Sequence, residues 1–203
     1  MNGDEMTTEP QWVNGFIKKL DEELKKTTKK GFVMSAADGT KLAYACEIQK
    51  YGSDGKPEVT TNKYETDILI SDVYADGSWV PRVIVECKLE GVTTHDALTY
   101  SAKASSHRAV HPYLRYGFLA GGRADYALPA RLIRHGQQFD FMISWKAMNA
   151  SATEWKSFSL LIRKEADASR KLQLLLTDNR SLTRVKHSGI YKPMNFVQVR
   201  KPK

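Results

Sequence analysis

Val83-Ile-Val-Glu-Cys-Lys88 is the stretch of this 203-residue chain that decides its fold. Side chains alternate between the two faces of an extended chain, so Ile84, Glu86 and Lys88 share one face and the other three residues share the opposite face. A carboxylate and an ammonium side by side on a half-buried strand are costly if they serve stability alone. The stretch therefore predicts a sheet strand that carries functional groups at its end.

A second carboxylate, Asp67, stands nineteen positions before Glu86 in another strand-like run, 64–73. Carboxylate and carbonyl oxygens are the ligands that Mg²⁺ prefers, and Mg²⁺ often keeps several waters. If the two strands pair, Asp67, Glu86 and the backbone carbonyl of Cys87 are candidate metal ligands, while the Cys87 thiol faces the core. Lys88 would orient the attacking water or neutralise charge on a phosphate. The set suits phosphodiester hydrolysis and predicts a nuclease.

Hydrophobic periodicity predicts the order helix, three strands, helix, strand over the first 120 residues. The predicted elements are a helix over 12–28, strands over 41–50, 64–73 and 81–88, a helix over 93–108, and a strand over 113–120. Thr93 and Asp96 have the spacing of a capping box at the start of the second helix. Asp72 lies on the strand face opposite Asp67, and we expect it to be a solvated residue near a turn.

The rest of the chain is predicted to add a strand over 139–145, a helix over 153–178 and a strand over 190–199. Ser151 and Glu154 give the helix a capping-box start. The length suits a single domain of residues 1–203, with a core over about 12–120. The basic extension over about 121–203 is then expected to bind DNA or to form a dimer interface.

The pattern Asp67 … Glu86-Cys87-Lys88, within that order of elements, resembles the restriction-endonuclease-like PD-(D/E)xK nucleases. Thr66 stands where the name-giving proline of this superfamily would be. The resemblance implies an α/β fold with a mixed central sheet, an αβββαβ core and C-terminal helix and strand additions. It also implies that Asp67 and Glu86 bind Mg²⁺, with Mn²⁺ able to substitute, that Lys88 is catalytic, and that the chain is most like a small type II restriction endonuclease.

Two helices are expected to add groups to this site. The superfamily often takes an acidic residue from its first helix, where Glu22 and Glu23 are both available; Glu23 falls at the margin of the apolar stripe and is the choice. Tyr100 and Lys103 share one face of the second helix, where they would contact the scissile phosphate or the attacking water. The competing interpretation is that this face is simply solvated.

The charge is distributed unevenly along the chain. Residues 1–100 hold 12 Lys and Arg against 17 Asp and Glu, whereas residues 101–203 hold 19 against 6. An acidic half that holds a metal beside a basic half that holds phosphate suits an enzyme acting on double-stranded DNA. The predicted nucleic-acid contacts are Tyr100, Arg108, Arg115, Arg123, Arg131, Arg134 and Lys186. A double-strand cut at a symmetric site would favour a homodimer.

Other functions fit the same residues. The alternatives are a non-catalytic nucleic-acid-binding protein on the same fold, a repair or junction-resolving nuclease, and a small-molecule enzyme or structural protein with a basic tail. No run of eighteen apolar residues predicts a membrane span. Two cysteines outside any C-x-x-C pair, and acidic residues ahead of the first apolar stretch, favour a reduced, cytoplasmic location.

Overall fold

The structure is a computed structural model that describes residues 7–26, 31–125 and 127–177. Four helices and seven strands form in these residues. The helices are α1 (Glu9–Lys25), α2 (Thr94–Val110), α3 (Ala130–His135) and α4 (Ala152–Thr177). The strands are β1 (Phe32–Ala37), β2 (Thr40–Tyr51), β3 (Pro57–Thr66), β4 (Ile68–Tyr74), β5 (Trp79–Leu89), β6 (Arg115–Gly121) and β7 (Phe141–Ser144).

Five of the strands form one mixed sheet in the order β1-β4-β5-β6-β7. The β1–β4 and β4–β5 pairs are antiparallel, whereas the β5–β6 and β6–β7 pairs are parallel. A parallel pair needs a crossover, which α2 supplies between β5 and β6. The predicted mixed α/β architecture is therefore confirmed.

The strand that carries the quoted stretch, β5, is central and alternates as predicted. Val83, Val85 and Cys87 are buried in the core formed with α1 and α4. Ile84 packs on the opposite face, in a cluster that includes Ala104 of α2. Helices thus cover both faces of β5, and a charged residue on this strand lies under a helix rather than in bulk water.

The predicted strand over 41–50 does not belong to this sheet. It forms β2, which pairs with β3 in a separate two-stranded hairpin. The sheet uses β1 instead, a short run that the sequence analysis did not predict. Residues 46–60 of the hairpin are exposed, because their mixed polar sequence provides no continuous apolar face for a core.

The predicted strand over 64–73 is divided at Asp67, between the end of β3 and the start of β4. The expectation for Asp72 was wrong. Asp72 is fully buried, and its carboxylate accepts hydrogen bonds from Arg82 Nε at 2.7 Å and from Arg170 Nε at 2.9 Å. This buried ion-pair cluster connects α4 to the sheet.

The C-terminal helix and the strand before it are confirmed as α4 and β7, and both are built into the same fold. β7 extends the main sheet, and α4 contributes Trp155, Phe158 and Ile162 to the core with α1. The strand predicted over 190–199 lies outside the described residues. Within residues 7–26, 31–125 and 127–177, no helix is both long and apolar enough to cross a membrane.

Candidate active site

Asp67 lies where the pairing of β4 with β5 ends. The antiparallel β4–β5 ladder ends at Ile68 and Val85, so the edge of β5 beyond Val85 has no β4 partner. Asp67 Oδ2 occupies this gap and accepts a hydrogen bond from the backbone N–H of Cys87 at 2.7 Å. The prediction that Asp67 comes to the strand of Glu86 is confirmed, although Asp67 lies at the junction of two strands rather than inside one.

Thr66, the residue before Asp67, closes the base of the hairpin. It is buried, and its hydroxyl donates to the backbone carbonyl of Thr40 at 2.9 Å. The closure fixes the point where the chain leaves β3, and it therefore fixes the backbone from which the Asp67 side chain extends.

Glu86 is 1% exposed, and its two oxygens have different surroundings. Oε1 accepts a hydrogen bond from the hydroxyl of Tyr116, on the neighbouring strand β6. Oε2 has no hydrogen-bond partner within the described residues, and the nearest cation is Lys103 Nζ at 3.9 Å. A buried carboxylate oxygen without a partner is costly, so Oε2 is the atom best placed to receive a cation.

Asp67 and Glu86, which we call the carboxylate pair, both have raised pKa values, and the charge of Asp67 makes Glu86 harder to ionise. Burial, and then the charge of Asp67, raise the pKa of Glu86 to about 7. Burial also raises the pKa of Asp67, against the opposing effects of the Cys87 N–H and Lys103. Two carboxyl groups that ionise reluctantly side by side form a site that a divalent cation would stabilise.

Lys88 shares the strand face of Glu86, as predicted, but its ammonium is held by the starts of two helices. Nζ lies 2.9 Å from Glu9 Oε1 in α1 and 4.0 Å from Asp96 Oδ1 in α2. The hydrogen bond with Glu9 is the main cause of the raised pKa of Lys88. Lys88 is therefore a charged, fixed ammonium at the edge of the site.

Glu9 is the acidic residue of α1 that contacts Lys88, and the sequence analysis did not propose it for the site. Helix α1 begins at Glu9 rather than at residue 12, because Thr8 and Gln11 form a capping box. Capping-box spacing at Thr8 and Gln11 is visible in the sequence and would have placed Glu9 in the first turn.

The predicted first-helix residue, Glu23, lies elsewhere. Its carboxylate accepts a hydrogen bond from Trp155 Nε1 at 2.6 Å and pairs with Arg163 Nη2 at 3.6 Å. The margin of the apolar stripe on α1 faces α4, so the structure does not bring Glu23 to the carboxylate pair. Glu22 is exposed.

The second helix brings both of its predicted residues to the site. Lys103 Nζ lies 5.2 Å from the ring centre of Tyr100 and 5.5 Å from that of Tyr64, in β3. Burial and the nearby carboxylates raise the pKa of Tyr100. The competing interpretation of a fully solvated helix face is wrong at these positions, because Lys103 and Tyr100 are both half-buried.

The predicted arginines separate into two groups. Arg108 and Arg115 bond to the buried carboxylate of Asp140, each at 2.9 Å, and Arg115 also pairs with Glu165 at 2.6 Å. This network holds the start of β6, so these two guanidinium groups are structural rather than available to DNA. Their partners lie 25 or more positions away in the sequence, and no local pattern indicated them.

The other predicted basic residues remain candidates for DNA contacts. Arg123 donates to the carbonyl of Glu90 at 2.9 Å, whereas Arg131 and Arg134 are exposed on α3. Lys186 lies outside the described residues. The DNA-binding role of the basic half stays a prediction.

Comparisons with known proteins leave the family open. No protein-family model matches the chain, and no curated protein matches its sequence. In the described part of the chain, no group of three or more His, Cys, Asp or Glu side chains is arranged to hold a metal. Any metal held by the carboxylate pair would therefore need ligands of another kind as well.

Proposed function

We propose that the chain is a metal-dependent endonuclease that hydrolyses phosphodiester bonds in DNA, of the kind found among small type II restriction enzymes. The observation that carries the proposal is the carboxylate pair, in which the buried Oε2 of Glu86 has no hydrogen-bond partner among the described residues and Lys103 Nζ lies 3.9 Å away. Such an arrangement is costly for stability and is explained by a cation that binds there.

The topology supports the same proposal. With the β2–β3 hairpin set aside, the order α1, β1, β4, β5, α2, β6 matches the αβββαβ order expected of a PD-(D/E)xK core. In such a core the carboxylate pair and Lys88 would lie at the start of the second strand and near the end of the third, and the hairpin would be an insertion between the first two strands.

The residues present fit a hard divalent cation. Asp67 and Glu86 offer carboxylate oxygens, and a residue in an extended strand directs its N–H and C=O to the same side. The Cys87 carbonyl is therefore directed to the side on which its N–H meets Asp67. Mg²⁺ accepts few protein ligands and fills its other positions with water, so a site with two acidic side chains from the described residues is compatible with it.

A bound Mg²⁺ would polarise the phosphate and acidify the attacking water. The protein's own contribution is to place charge around the phosphate. Tyr116 donates a hydrogen bond to Oε1 of Glu86 rather than to Oε2, while Glu9 fixes the Lys88 ammonium. Lys88 and Lys103 would then counter negative charge that develops on the phosphate, in positions that do not have to reorganise.

The proposal is tested by incubating the purified chain with plasmid DNA and Mg²⁺, with EDTA as the control. We expect cleavage by the wild type and by Glu22→Gln, a matched exposed carboxylate on α1. We expect Asp67→Ala and Lys88→Ala to lose cleavage and to keep DNA binding. Equal cleavage by all four proteins would overturn the proposal, and binding without cleavage by the wild type would favour a non-catalytic DNA-binding protein.

A further inference from the structure

Two tyrosines stack face to face where the hairpin meets the candidate active site. The ring centres of Tyr44 in β2 and Tyr64 in β3 are 3.6 Å apart, and the ring planes differ by 7°. Both residues are half-buried, so the stack reaches the surface. We call these two rings the tyrosine platform.

The stacking preference of aromatic rings does not by itself explain this geometry. Aromatic pairs usually prefer offset or edge-to-face arrangements with centres about 4.5–7 Å apart. Two features of the fold impose the face-to-face arrangement instead. A register shift between Ala43 and Ala45 leaves Tyr44 in a β-bulge, which redirects its side chain. The buried ring of His107 then meets both tyrosines edge-on, with ring centres 6.5 and 5.9 Å away.

Lys103 links the platform to the carboxylate pair. Lys103 Nζ lies 5.5 Å from the ring centre of Tyr64 and 3.9 Å from Glu86 Oε2. A phosphate attracted by Lys103 would lie beside Glu86, and the base of the adjoining nucleotide would reach the tyrosine platform. The arrangement thus pairs a cation for the backbone with an aromatic face for a base, as in proteins that bind single strands.

We propose that the tyrosine platform stacks on an unpaired base next to the phosphate that is cut, so that the preferred substrate carries an unpaired nucleotide at the cleavage site. The inference rests on the proposed nuclease function. Both faces of a base inside a duplex are covered by its neighbours, and an aromatic side chain reaches one of them only when the base leaves the stack. A fully paired duplex would leave the platform unused.

The test uses the full chain in EDTA, so that binding is measured without cleavage. The probes are a DNA duplex with one bulged 2-aminopurine and the same duplex with that base paired. We expect the bulged probe to bind more tightly and its fluorescence to be quenched by stacking. Tyr44→Leu should weaken this binding about tenfold and remove the quenching, because one stacking partner is lost. Tyr44→Phe should restore both.

Tyr51→Leu is the matched control, since Tyr51 is an exposed tyrosine on the same hairpin, away from the platform. Unchanged binding and quenching in Tyr44→Leu, or equal affinity of the wild type for both probes, would overturn the inference. Cleavage of plasmid DNA with Mg²⁺ is measured in parallel. If the wild type does not cleave, the proposed nuclease function is refuted. If the wild type cleaves but Tyr44→Leu does not change the binding of the bulged probe, only the role of the tyrosine platform is refuted.

Discussion

Asp67 completes the edge of β5 with its side chain, because its Oδ2 accepts the Cys87 N–H that a longer β4 would otherwise pair. The same contact sets Asp67 beside Glu86. We therefore expect Asp67→Asn to keep the backbone hydrogen bond, since an amide oxygen also accepts, while it removes one negative charge. The pKa of Glu86 should then fall from about 7, because the Asp67 charge is one of its causes. NMR titration of the glutamate carboxyl carbons measures this pKa, and an unchanged value would contradict the coupling.

Glu86 should make the metal-free protein less stable as the pH rises. Its pKa is about 7 in the folded state, against an ordinary value of 4.5, so the folded state binds more protons between these values. The free energy of unfolding must then decrease as pH rises through this window. Glu86→Gln mimics the protonated form and should be more stable than the wild type by about 1–3 kcal/mol at pH 8. Urea unfolding in EDTA at pH 4.5 and pH 8 checks this, and an equal difference at both values would contradict it.

Lys88 and Lys103 are two candidates for the ammonium that assists cleavage. Lys88 is held by Glu9 at 2.9 Å, whereas Lys103 is the nearer to Glu86 Oε2. If both counter charge on the phosphate, Lys88→Met and Lys103→Met should each lower the cleavage rate about 100-fold. Lys56→Met, at the hairpin turn, is the control and should cleave as the wild type does. If only Lys103→Met lowers the cleavage rate, Lys103 of α2 and not Lys88 assists cleavage.

His107 should act on stability in the opposite direction to Glu86. Its Nδ1 donates to the carbonyl of Ala43 at 3.1 Å, and burial lowers its pKa to about 4. In the unfolded chain the His107 imidazole is protonated near pH 6.5, whereas in the folded state it stays neutral until about pH 4. The free energy of unfolding must therefore fall as pH decreases from 6.5 towards 4. His107→Asn keeps a donor for Ala43 and cannot titrate. Its free energy of unfolding should therefore fall less between pH 7 and pH 4.5 than that of the wild type, and equal slopes would refute the assignment.

The buried carboxylate of Asp72 should be the most sensitive position in the sheet. Arg82 and Arg170 both donate to it, and Asp72 is fully buried. Asp72→Asn leaves two guanidinium groups without a buried counter-charge, so we expect a loss of about 3–5 kcal/mol in the free energy of unfolding. Asp76→Asn, in the exposed turn that follows β4, should change it by less than about 0.5 kcal/mol. Urea denaturation of the two variants separates the effects.

The sequence predicts the structure well where the residues of a single strand or helix start carry the signal. The alternation in β5 correctly divides its residues between two faces, because a central strand has a buried face on each side. The sequence pattern also correctly predicts that Asp67 lies near Glu86. Local capping signals correctly open α2 and α4 at Thr93 and Ser151.

The failures have a common physical origin in contacts between distant parts of the chain. The buried environment of Asp72 depends on Arg170, 98 positions later, and Arg115 is neutralised by Glu165, 50 positions later. Glu23 is drawn to α4 by Trp155. Periodicity indicates that a face is buried, but it does not say which element covers that face.

The β2–β3 hairpin divides the chain into a part that tolerates change in length and a part that does not. Its turn over 52–56 is exposed on all sides, so a loop inserted there would alter neither the Thr40–Thr66 closure nor the carboxylate pair. Asp67, by contrast, is the single residue between β3 and β4. One residue added or removed at that junction would shift the carboxylate along the edge of β5 and away from Cys87. The tip of the hairpin therefore tolerates changes in length, whereas its junction with the main sheet does not.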